Sequence, residues 1–292
     1  MTLVREVSIE NYKSIRKLTL ELGRVNVLIG ANGSGKSNLL EAIALGTAAA
    51  RNKLDNEYLV PRGIRVAALT VARTPDFLIY APENSALRIF QAEPQILPLG
   101  VKGEGLFAHL KALAAPEHAE RLAAIGDRLA LLDWFERLEI PKDLAPGERS
   151  LLIRDRYLAE GALFDQRSAN EGFLFLLFYL TLFISDATPP FFAIDNVDAS
   201  LNPKLVTTLV TQLVELAKLH DKQVIFTTHN PAVLDGIDLD DDEQRLFVTE
   251  RGKDGATRVR RVSAPKPVDG DPRVALSEAF VRGYLGGLPK NF

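Results

Sequence analysis

The pattern of hydrophobic and polar positions predicts strands near both ends of the chain. Val4–Glu10 and Leu18–Leu22 alternate between apolar and polar residues with period two, which predicts a short antiparallel pair. Arg24–Ile29, Phe191–Asp195 and Gln223–His229 are short apolar runs, typical of strands buried on both faces of a sheet. The buried strands of the predicted sheet therefore come from both halves of the chain.

Apolar residues at helical spacing predict helices between these strands. The predicted helices are Asn38–Leu45, about Leu106–Leu138, Arg149 to about Leu163, Phe173–Ile184 and Leu205–Leu219. The apolar run Phe173–Ile184 is too short to span a bilayer and lacks a basic flank. We therefore expect a buried core helix there and no membrane association.

The remaining segments complete an alternating order of strands and helices. Leu87–Phe90 is expected to be a strand inside a proline-interrupted stretch, and Leu246–Thr249 with Arg258–Val262 predicts a final hairpin. This order is typical of an α/β nucleotide-binding core with both sheet faces covered. We divide the chain into the first half of the core, an inserted mixed and helical lobe, and the second half of the core, at residues 1–50, 51–163 and 164–292.

The composition is that of an ordinary globular protein. The 292 residues are 47% hydrophobic and 25% charged, with a formal net charge of −3, which argues against a strongly basic nucleic-acid binder. There is no cysteine, so disulfides and thiolate metal sites are excluded. The start of the chain has no signal-peptide pattern, and we expect a cytoplasmic protein.

Gly30–Ser37 has the sequence of a phosphate-binding P-loop, G-x-x-x-x-G-K-S. Its glycines allow the backbone to turn N–H groups toward a polyphosphate, Lys36 can reach the β- and γ-phosphates, and the Ser37 hydroxyl can ligate Mg²⁺. A predicted strand precedes the loop, and a predicted helix follows with its N-terminus toward the anion. The predicted ATP-binding residues are Asn32, Gly33, Ser34, Gly35, Lys36, Ser37 and Asn38.

A carboxylate ends the predicted strand Phe191–Asp195. Asp195 is predicted to stand at the carboxyl end of a strand beside the P-loop strand, where it can hold Mg²⁺. Next comes Asn196, whose amide can orient a water molecule but cannot accept its proton. Either hydrolysis is slow, or a nearby carboxylate is the base; Asp198 is the nearest candidate, with a turn role as the alternative.

His229 follows another predicted buried strand. A histidine there can hydrogen-bond the γ-phosphate and the attacking water, and so detect bound ATP. The alternative is a strand-end histidine packed against backbone.

These motifs occur in the order found in the ABC-type ATPases. Walker A at Gly30–Ser37 is followed by Walker B at Asp195, the turn Ser200–Pro203 and Thr-His-Asn-Pro at Thr228–Pro231. The opening Ile9–Ile15 resembles the N-terminal strand of the RecF/SMC-like branch, which includes OLD-type ATPases of the AAA class. The resemblance implies an α/β fold: an ABC-type P-loop NTPase core with a mixed sheet, N-terminal antiparallel strands and an inserted helical lobe. It implies ATP and Mg²⁺ as cofactors.

The same resemblance implies a dimer in which two subunits sandwich two ATP molecules. Each subunit of such a dimer presents a signature segment to its partner's γ-phosphate, and the matching segment here is Ser168–Phe173. Within it Asn170 replaces the usual serine and Gly172 keeps the glycine. Asn202 is the other residue expected to contact the partner's ATP. A role for Asn170 as a helix N-cap remains open.

Two further contacts are implied by the resemblance. A glutamine at the lobe boundary usually contacts magnesium, and Gln91 is predicted for this role, with Gln95 as the competing candidate. Tyr12 or Lys13 is expected near the adenine, although packing is an equal alternative for Tyr12.

The C-terminal residues Leu276–Lys290 have an organised pattern. A helix with Phe280 and Tyr284 on one side is followed by a Gly-Gly turn. This segment either docks on a partner or packs against its own domain.

The leading functional hypothesis is an ATP-binding and ATP-hydrolysing protein. It would form a nucleotide-gated dimer or larger assembly and control a separate effector protein, as in the compact anti-phage defence ATPases that the layout resembles. One alternative is a DNA-repair or recombination ATPase that binds DNA, although the net charge does not indicate DNA binding. The other is a scaffold locked by ATP, because Asn196 cannot act as a base.

Overall fold

Strands from both ends of the chain build the main sheet, as the hydrophobic pattern predicts. The structure, a computed structural model, describes residues 3–50, 77–91, 96–264 and 274–288. Across the sheet the strands are, in spatial order, β11 (Thr257–Val262), β10 (Gln244–Arg251), β3 (Val25–Ile29), β9 (Gln223–Thr228), β8 (Phe191–Ile194) and β4 (Leu78–Tyr80). The four strands β10, β3, β9 and β8 are parallel, whereas β11 is antiparallel to β10. The predicted mixed sheet of an α/β fold is confirmed. The predicted adjacency of the Asp195 strand and the P-loop strand is wrong, because β9 lies between β3 and β8.

The sheet belongs to the first of two compact units, Met1–Ile79 together with Pro189–Phe292. The predicted antiparallel pair is present in this unit as β1 (Glu6–Tyr12) and β2 (Ile15–Glu21). Among the described residues of this unit, the helices are α1 (Lys36–Ala50), α6 (Pro203–Leu219) and α7 (Leu276–Val281), with a 3₁₀ turn at Pro231–Gly236.

One apolar cluster of this unit lies between helix α1, the β1–β2 pair and the main sheet. Ile9, Leu39, Ile43 and Phe247 are buried together in one hydrophobic cluster. Burial of these side chains holds the start of α1, and hence the P-loop, against the ends of the sheet strands.

The second unit, Tyr80–Thr188, contains most of the predicted lobe. Its helices are α2 (Asn84–Arg88), α3 (Leu106–Leu113), α4 (Ala119–Leu129) and α5 (Glu171–Ile184), and its antiparallel sheet consists of β5 (Phe135–Glu139), β6 (Leu152–Asp155) and β7 (Leu163–Asp165). Every residue of α5 from Phe173 to Ile184 is buried, as expected for a core helix. In the part of the chain that the structure describes, no helix has the length and apolar character needed to cross a bilayer.

Two predicted elements of this unit are wrong, and a third, the helix predicted over about Leu106–Leu138, ends earlier than expected. Leu87–Phe90 lies at the end of helix α2 and not in a strand, Arg149–Leu163 forms a strand and turns and not a helix, and Phe135–Glu139 is a strand where the helix was predicted to continue. Segments of three to five residues carry too little periodicity to separate a helix from a strand. Pairing with residues distant in sequence, such as Leu138 with Ile153, decides the outcome.

The compact units also have other bounds than the predicted domains. The predicted lobe ends at residue 163, whereas the second unit extends to Thr188 and includes α5. Part of the predicted lobe, residues 51–76, lies outside the described residues. The division of the chain into two core halves and an inserted lobe stays a prediction.

A buried histidine in α3 contributes to the pH dependence of stability. His109 is 8% exposed, and its Nε2 lies 2.8 Å from the Ser185 hydroxyl. Burial, together with the nearby charge of His118, lowers the pKa of His109. The unfolded chain therefore binds the proton at His109 more readily, so the contribution of this group to stability is full above about pH 6.5 and falls below it, by at most about 1.4 kcal/mol per pH unit.

We expect His109→Gln to have a weaker pH dependence of unfolding than the wild type. Chemical denaturation at pH 7.5 and 5.5 measures the two slopes. The control is His118→Gln, at a more exposed position, which should keep most of the wild-type slope because burial is the larger cause of the lowered pKa of His109. Equal slopes in the wild type and His109→Gln would show that His109 does not titrate on unfolding in this range.

Candidate functional site

Four parallel strands end at the same edge of the main sheet, and the residues that follow them line one pocket. The carboxyl ends of parallel neighbours meet at one edge, which is where α/β sheets bind ligands. The pocket has a volume of about 370 Å³. Its lining residues are Asn32, Gly33, Ser34, Gly35, Lys36, Ser37, Asn38, Asp195, Asn196, His229 and Arg251. All seven predicted ATP-binding residues lie in this lining.

Close backbone approach explains two glycines of the P-loop. Gly35 has a φ of 111°, and a Cβ atom there would lie 2.1 Å from the Thr257 hydroxyl of β11. At Gly30 a Cβ atom would lie 2.1 Å from the Thr249 carbonyl oxygen of β10. The loop is thus pressed against the neighbouring hairpin, and a side chain at either position would force it away.

Lys36 is buried and directed toward the start of its own loop. Its Nζ donates to the carbonyl oxygens of Gly30 at 2.7 Å and Ala31 at 3.2 Å. Burial lowers the pKa of Lys36 to about 8, and the carboxylates of Asp195 and Asp198 partly offset this effect because they favour the charged form. The ammonium group is therefore held near both the loop and the carboxylates.

His229 contacts the same atoms. Its Nδ1 lies 3.2 Å from Lys36 Nζ and 3.2 Å from the Gly30 carbonyl oxygen. When Nε2 carries the ring proton, Nδ1 can accept from Lys36. The predicted sensor histidine and the P-loop lysine are thereby brought together at the first residue of the loop.

Thr227 of β9 organises the end of β8. Its hydroxyl donates to Asp195 Oδ1 and accepts from the backbone N–H of Asn196 at 2.9 Å. These two bonds fix the carboxylate and the following peptide at the pocket wall. Asn196 has a φ of 55°, in the left-handed region that asparagine tolerates better than most residues.

Asp198 lies outside the set of residues that line the pocket. The Thr228 hydroxyl donates to Asp198 Oδ1 at 2.5 Å and accepts from the Asn230 backbone N–H at 2.9 Å. The backbone from Asn196 to Leu201 forms consecutive turns, which agrees with a turn role for Asp198. Its role as a base stays a prediction.

The N-terminal hairpin supports the loop and does not offer an aromatic face. Tyr12 is 1% exposed and packs in the core, the second of its two predicted alternatives, while Lys13 pairs with Glu41 of α1. The Asn38 amide of α1 donates to the Ser14 hydroxyl at 2.7 Å. This hydroxyl lies 2.7 Å from that of Thr257, so the hairpin turn, α1 and β11 are linked behind the P-loop.

Two of the three residues predicted to act across a dimer are helix caps. Asn170 Oδ1 accepts from the Phe173 N–H at 2.8 Å at the start of α5, and Asn202 Oδ1 accepts from the Leu205 N–H at 2.9 Å at the start of α6. Gly172 lies in the first turn of α5. Both asparagines are exposed, and contact with a partner's ATP stays a prediction.

The predicted magnesium glutamine belongs to the second unit. Gln91 is exposed and follows helix α2, not the strand that motivated its choice, and its competitor Gln95 lies outside the described residues. Its role in magnesium binding stays a prediction.

Sequence reasoning missed three residues that shape this site. Thr227 and Thr228 orient the carboxylates, and the pair of hydroxyls before His229 was the available signal. Arg251 lines the pocket, where its Nη1 donates to the Gly33 carbonyl oxygen at 3.4 Å and its Nε to that of Gly255 at 2.8 Å. Its strand, β10, was interpreted as half of a hairpin, and its parallel pairing with β3 was not foreseen.

Comparison with protein families gives two matches along the chain. Residues 89–235 match a family described as "AAA domain, putative AbiEii toxin, Type IV TA system", and residues 2–69 match an "AAA ATPase domain".

Two curated relatives have names from DNA metabolism. Over 100 residues the chain is 33% identical to the DNA double-strand break repair Rad50 ATPase of Sulfurisphaera tokodaii, which covers 33% of this chain and 11% of that protein. Over 194 residues it is 26% identical to the DNA replication and repair protein RecF of Caldanaerobacter subterraneus subsp. tengcongensis, which covers 58% of this chain and 52% of that protein. The matches thus span about half, or much less, of these relatives' lengths.

Solved structures of SMC heads have a similar fold. The SMC head bound to the C-winged helix domain of ScpA has a TM-score of 0.55 at 16% identity, covering 89% of this chain and 98% of that one. The SMC head with an extended coiled coil from Pyrococcus furiosus has a TM-score of 0.51 at 14% identity, covering 89% and 96%. At such identities the similarity concerns the fold alone.

Proposed function

This chain belongs to the AAA domain family that matches residues 89–235, and on that premise we propose that it binds Mg·ATP in the described pocket and hydrolyses ATP. The observation that carries the proposal is the convergence of the P-loop, Asp195 and His229 on one pocket. A phosphate cradle, a carboxylate at a strand end and a histidine beside the lysine are the parts that phosphoryl transfer requires.

The residues present fit a magnesium nucleotide. The Ser37 hydroxyl and the Asp195 carboxylate are oxygen donors of the kind that Mg²⁺ prefers, and both line the pocket. The buried Ser34 hydroxyl has no hydrogen-bond partner among the described residues, which fits a hydroxyl that donates to a phosphate oxygen. Magnesium would neutralise the phosphate charge, while Lys36 and the loop N–H groups orient the phosphates.

We infer that hydrolysis is slow. Asn196 occupies the position next to Asp195 that can face the attacking water, and its amide orients water without accepting a proton. Asp198, the nearest alternative base, already accepts from Thr228. His229 can orient the water through its ring, so turnover is expected to be limited by the missing strong base.

ATP would also close two copies of the chain on each other. The cap bonds of Asn170 and Asn202 use only Oδ1, and among the described residues the Nδ2 donors stay available for a phosphate of a partner's ATP. Such an ATP-gated dimer, or a larger assembly, could control a separate effector protein. More specifically, we propose that this control of an effector serves anti-phage defence.

Molecular mass in solution tests the gating. Light scattering of the purified protein is expected to give a doubled mass, or more, with Mg·ATP and the protomer mass without nucleotide. Lys36→Ala, with its phosphate ligand removed, should keep the protomer mass under both conditions. An ATP-bound wild type with unchanged mass would contradict gating while leaving ATP binding intact.

A second candidate function is DNA repair, favoured by the names of the Rad50 and RecF relatives. Against it, arginines of β11 have carboxylate neighbours, because Arg258 lies near Asp254 and Arg261 near Glu21. Stimulation of ATP hydrolysis by DNA, with a steep salt dependence, would favour this function over effector control.

A further inference from the structure

The C-terminal segment 274–288 packs against its own unit, beside the P-loop. Phe280 and Leu285 are 4% and 7% exposed, whereas Tyr284 points outward at 69%. The Arg260 guanidinium of β11 donates to the Leu285 carbonyl oxygen at 2.6 Å. Of the two predicted alternatives for this segment, packing on its own domain is the one observed.

The segment contacts two parts of the candidate site. At its start, the Ser277 N–H donates to Asp235 Oδ1 at 3.0 Å, in the 3₁₀ turn that follows His229. At its end, the Gly287 carbonyl oxygen accepts from the Ala31 N–H of the P-loop at 3.1 Å. The segment therefore joins the histidine segment to the beginning of the P-loop.

The bond from Gly287 acts on the peptide unit that holds Lys36. The N–H of Ala31 and the carbonyl of Gly30 belong to one planar peptide group and point in opposite directions. The carbonyl oxygen of this group accepts from Lys36 Nζ at 2.7 Å and lies 3.2 Å from His229 Nδ1. Holding the N–H side therefore sets the direction of the carbonyl, and with it the position of the ammonium group.

Glycine is required at residue 287 by space as well as by conformation. Gly287 has a φ of 80°, and a Cβ atom there would lie 2.6 Å from Val248 Cγ1 and 3.8 Å from Gly30 Cα. The preceding Gly286 has a similar φ of 72°, but a Cβ atom there would meet only the tip of Arg260, at 3.6 Å. Alanine would be strained at both positions, yet only at residue 287 would it push the turn off the P-loop.

We propose that the C-terminal segment is a positioning element of the nucleotide site, in which Gly287 holds the Gly30–Ala31 peptide and so places Lys36. The proposal rests on the proposed function, since Lys36 matters here as a phosphate ligand. Gly287 and Arg260 act through Lys36 and are positioning residues.

The test compares Gly287→Ala with Gly286→Ala. Since loss of one buried hydrogen bond weakens an equilibrium by about fivefold to tenfold, we expect Gly287→Ala to raise the Kd for ATP by that factor. KM should rise in parallel with little change in kcat, and Gly286→Ala should stay within about twofold of wild type because it keeps the contact. Val248→Ala removes the clashing methyl groups. The double variant with Gly287→Ala and Val248→Ala should therefore bind ATP nearly as tightly as Val248→Ala alone.

Hydrogen exchange without nucleotide separates this inference from the proposed function. The peptide containing Ala31 should exchange faster in Gly287→Ala than in Gly286→Ala, whether or not the wild type binds ATP. Unchanged exchange in Gly287→Ala overturns the inference. If the wild type binds ATP, faster exchange in Gly287→Ala with unchanged ATP affinity overturns it as well. A wild type that binds no ATP overturns the proposed function and, with it, the placing of Lys36 as a phosphate ligand. If Gly287→Ala does not fold, Arg260→Gln takes its place, because it removes the hydrogen bond to the Leu285 carbonyl oxygen that holds the same turn. The exchange of the Ala31 peptide and the ATP affinity then decide in the same way.

Discussion

Lys36→Ala is expected to lower the affinity for ATP by at least about a hundredfold, because it removes the proposed charged ligand of the terminal phosphates from a buried site. Lys36 is 6% exposed and already directed into the loop by two carbonyl oxygens and His229. Little reorganisation is needed for it to contact a phosphate. Calorimetric titration with Mg·ATP measures the change.

The stability of Lys36→Ala is not expected to fall with its affinity. Burial disfavours the charged form of Lys36, so removing the group relieves a desolvation penalty while losing its hydrogen bonds. The control is Lys17→Ala, a lysine on the exposed face of β2 that pairs with Glu10, which should bind ATP as the wild type does. Wild-type ATP affinity in a folded Lys36→Ala protein would contradict the assigned site.

Asn196→Glu is expected to raise kcat for ATP hydrolysis by about tenfold to a hundredfold, because a carboxylate can accept the proton of the attacking water. The backbone N–H of Asn196 donates to the Thr227 hydroxyl, and the substitution keeps this hydrogen bond. Glutamate tolerates the φ of 55° less well than asparagine, so a loss of about 1 kcal/mol in stability is expected. Steady-state phosphate release measures the rate.

The matched control is Asn196→Gln, which has the length of glutamate and the same backbone strain but cannot accept a proton. It should show the stability loss without the gain in rate. Equal acceleration in Asn196→Glu and Asn196→Gln would show that the longer side chain raises the rate, and not its ability to accept a proton. If the wild type already hydrolyses ATP quickly and Asp198→Ala abolishes this, the inference of slow hydrolysis fails and Asp198 is the base.

The binding loop and its neighbours were predictable because each motif is local and each flanking strand is buried on both faces. Gly30–Ser37, Asp195 and His229 all follow apolar runs, and parallel pairing brings the ends of those runs together. The prediction of a RecF/SMC-like, ABC-class P-loop ATPase fold is confirmed by the AAA family matches and by the SMC-head structures. The resemblance to anti-phage ATPases stays a prediction.

Features that depend on pairing between distant residues were not predictable. The sheet β5–β7 consists of strands of three to five residues whose partners lie many positions away, and the segment Arg149–Leu163 was assigned to a helix. Arg251 reaches the pocket only because β10 lies beside β3. The contact of Gly287 with Ala31 spans almost the whole chain, so the local pattern could not choose between docking on a partner and packing on its own unit.

The central claim is that the pocket formed by the P-loop and Asp195 is a site for magnesium nucleotide. The most direct measurement is an equilibrium titration of the wild-type protein with ATP, in Mg²⁺ and again in EDTA. Saturable binding of one ATP per chain is expected, with higher affinity in Mg²⁺, since Ser37 and Asp195 line the pocket and carry the oxygen donors that Mg²⁺ prefers. No saturable binding under either condition would contradict the claim.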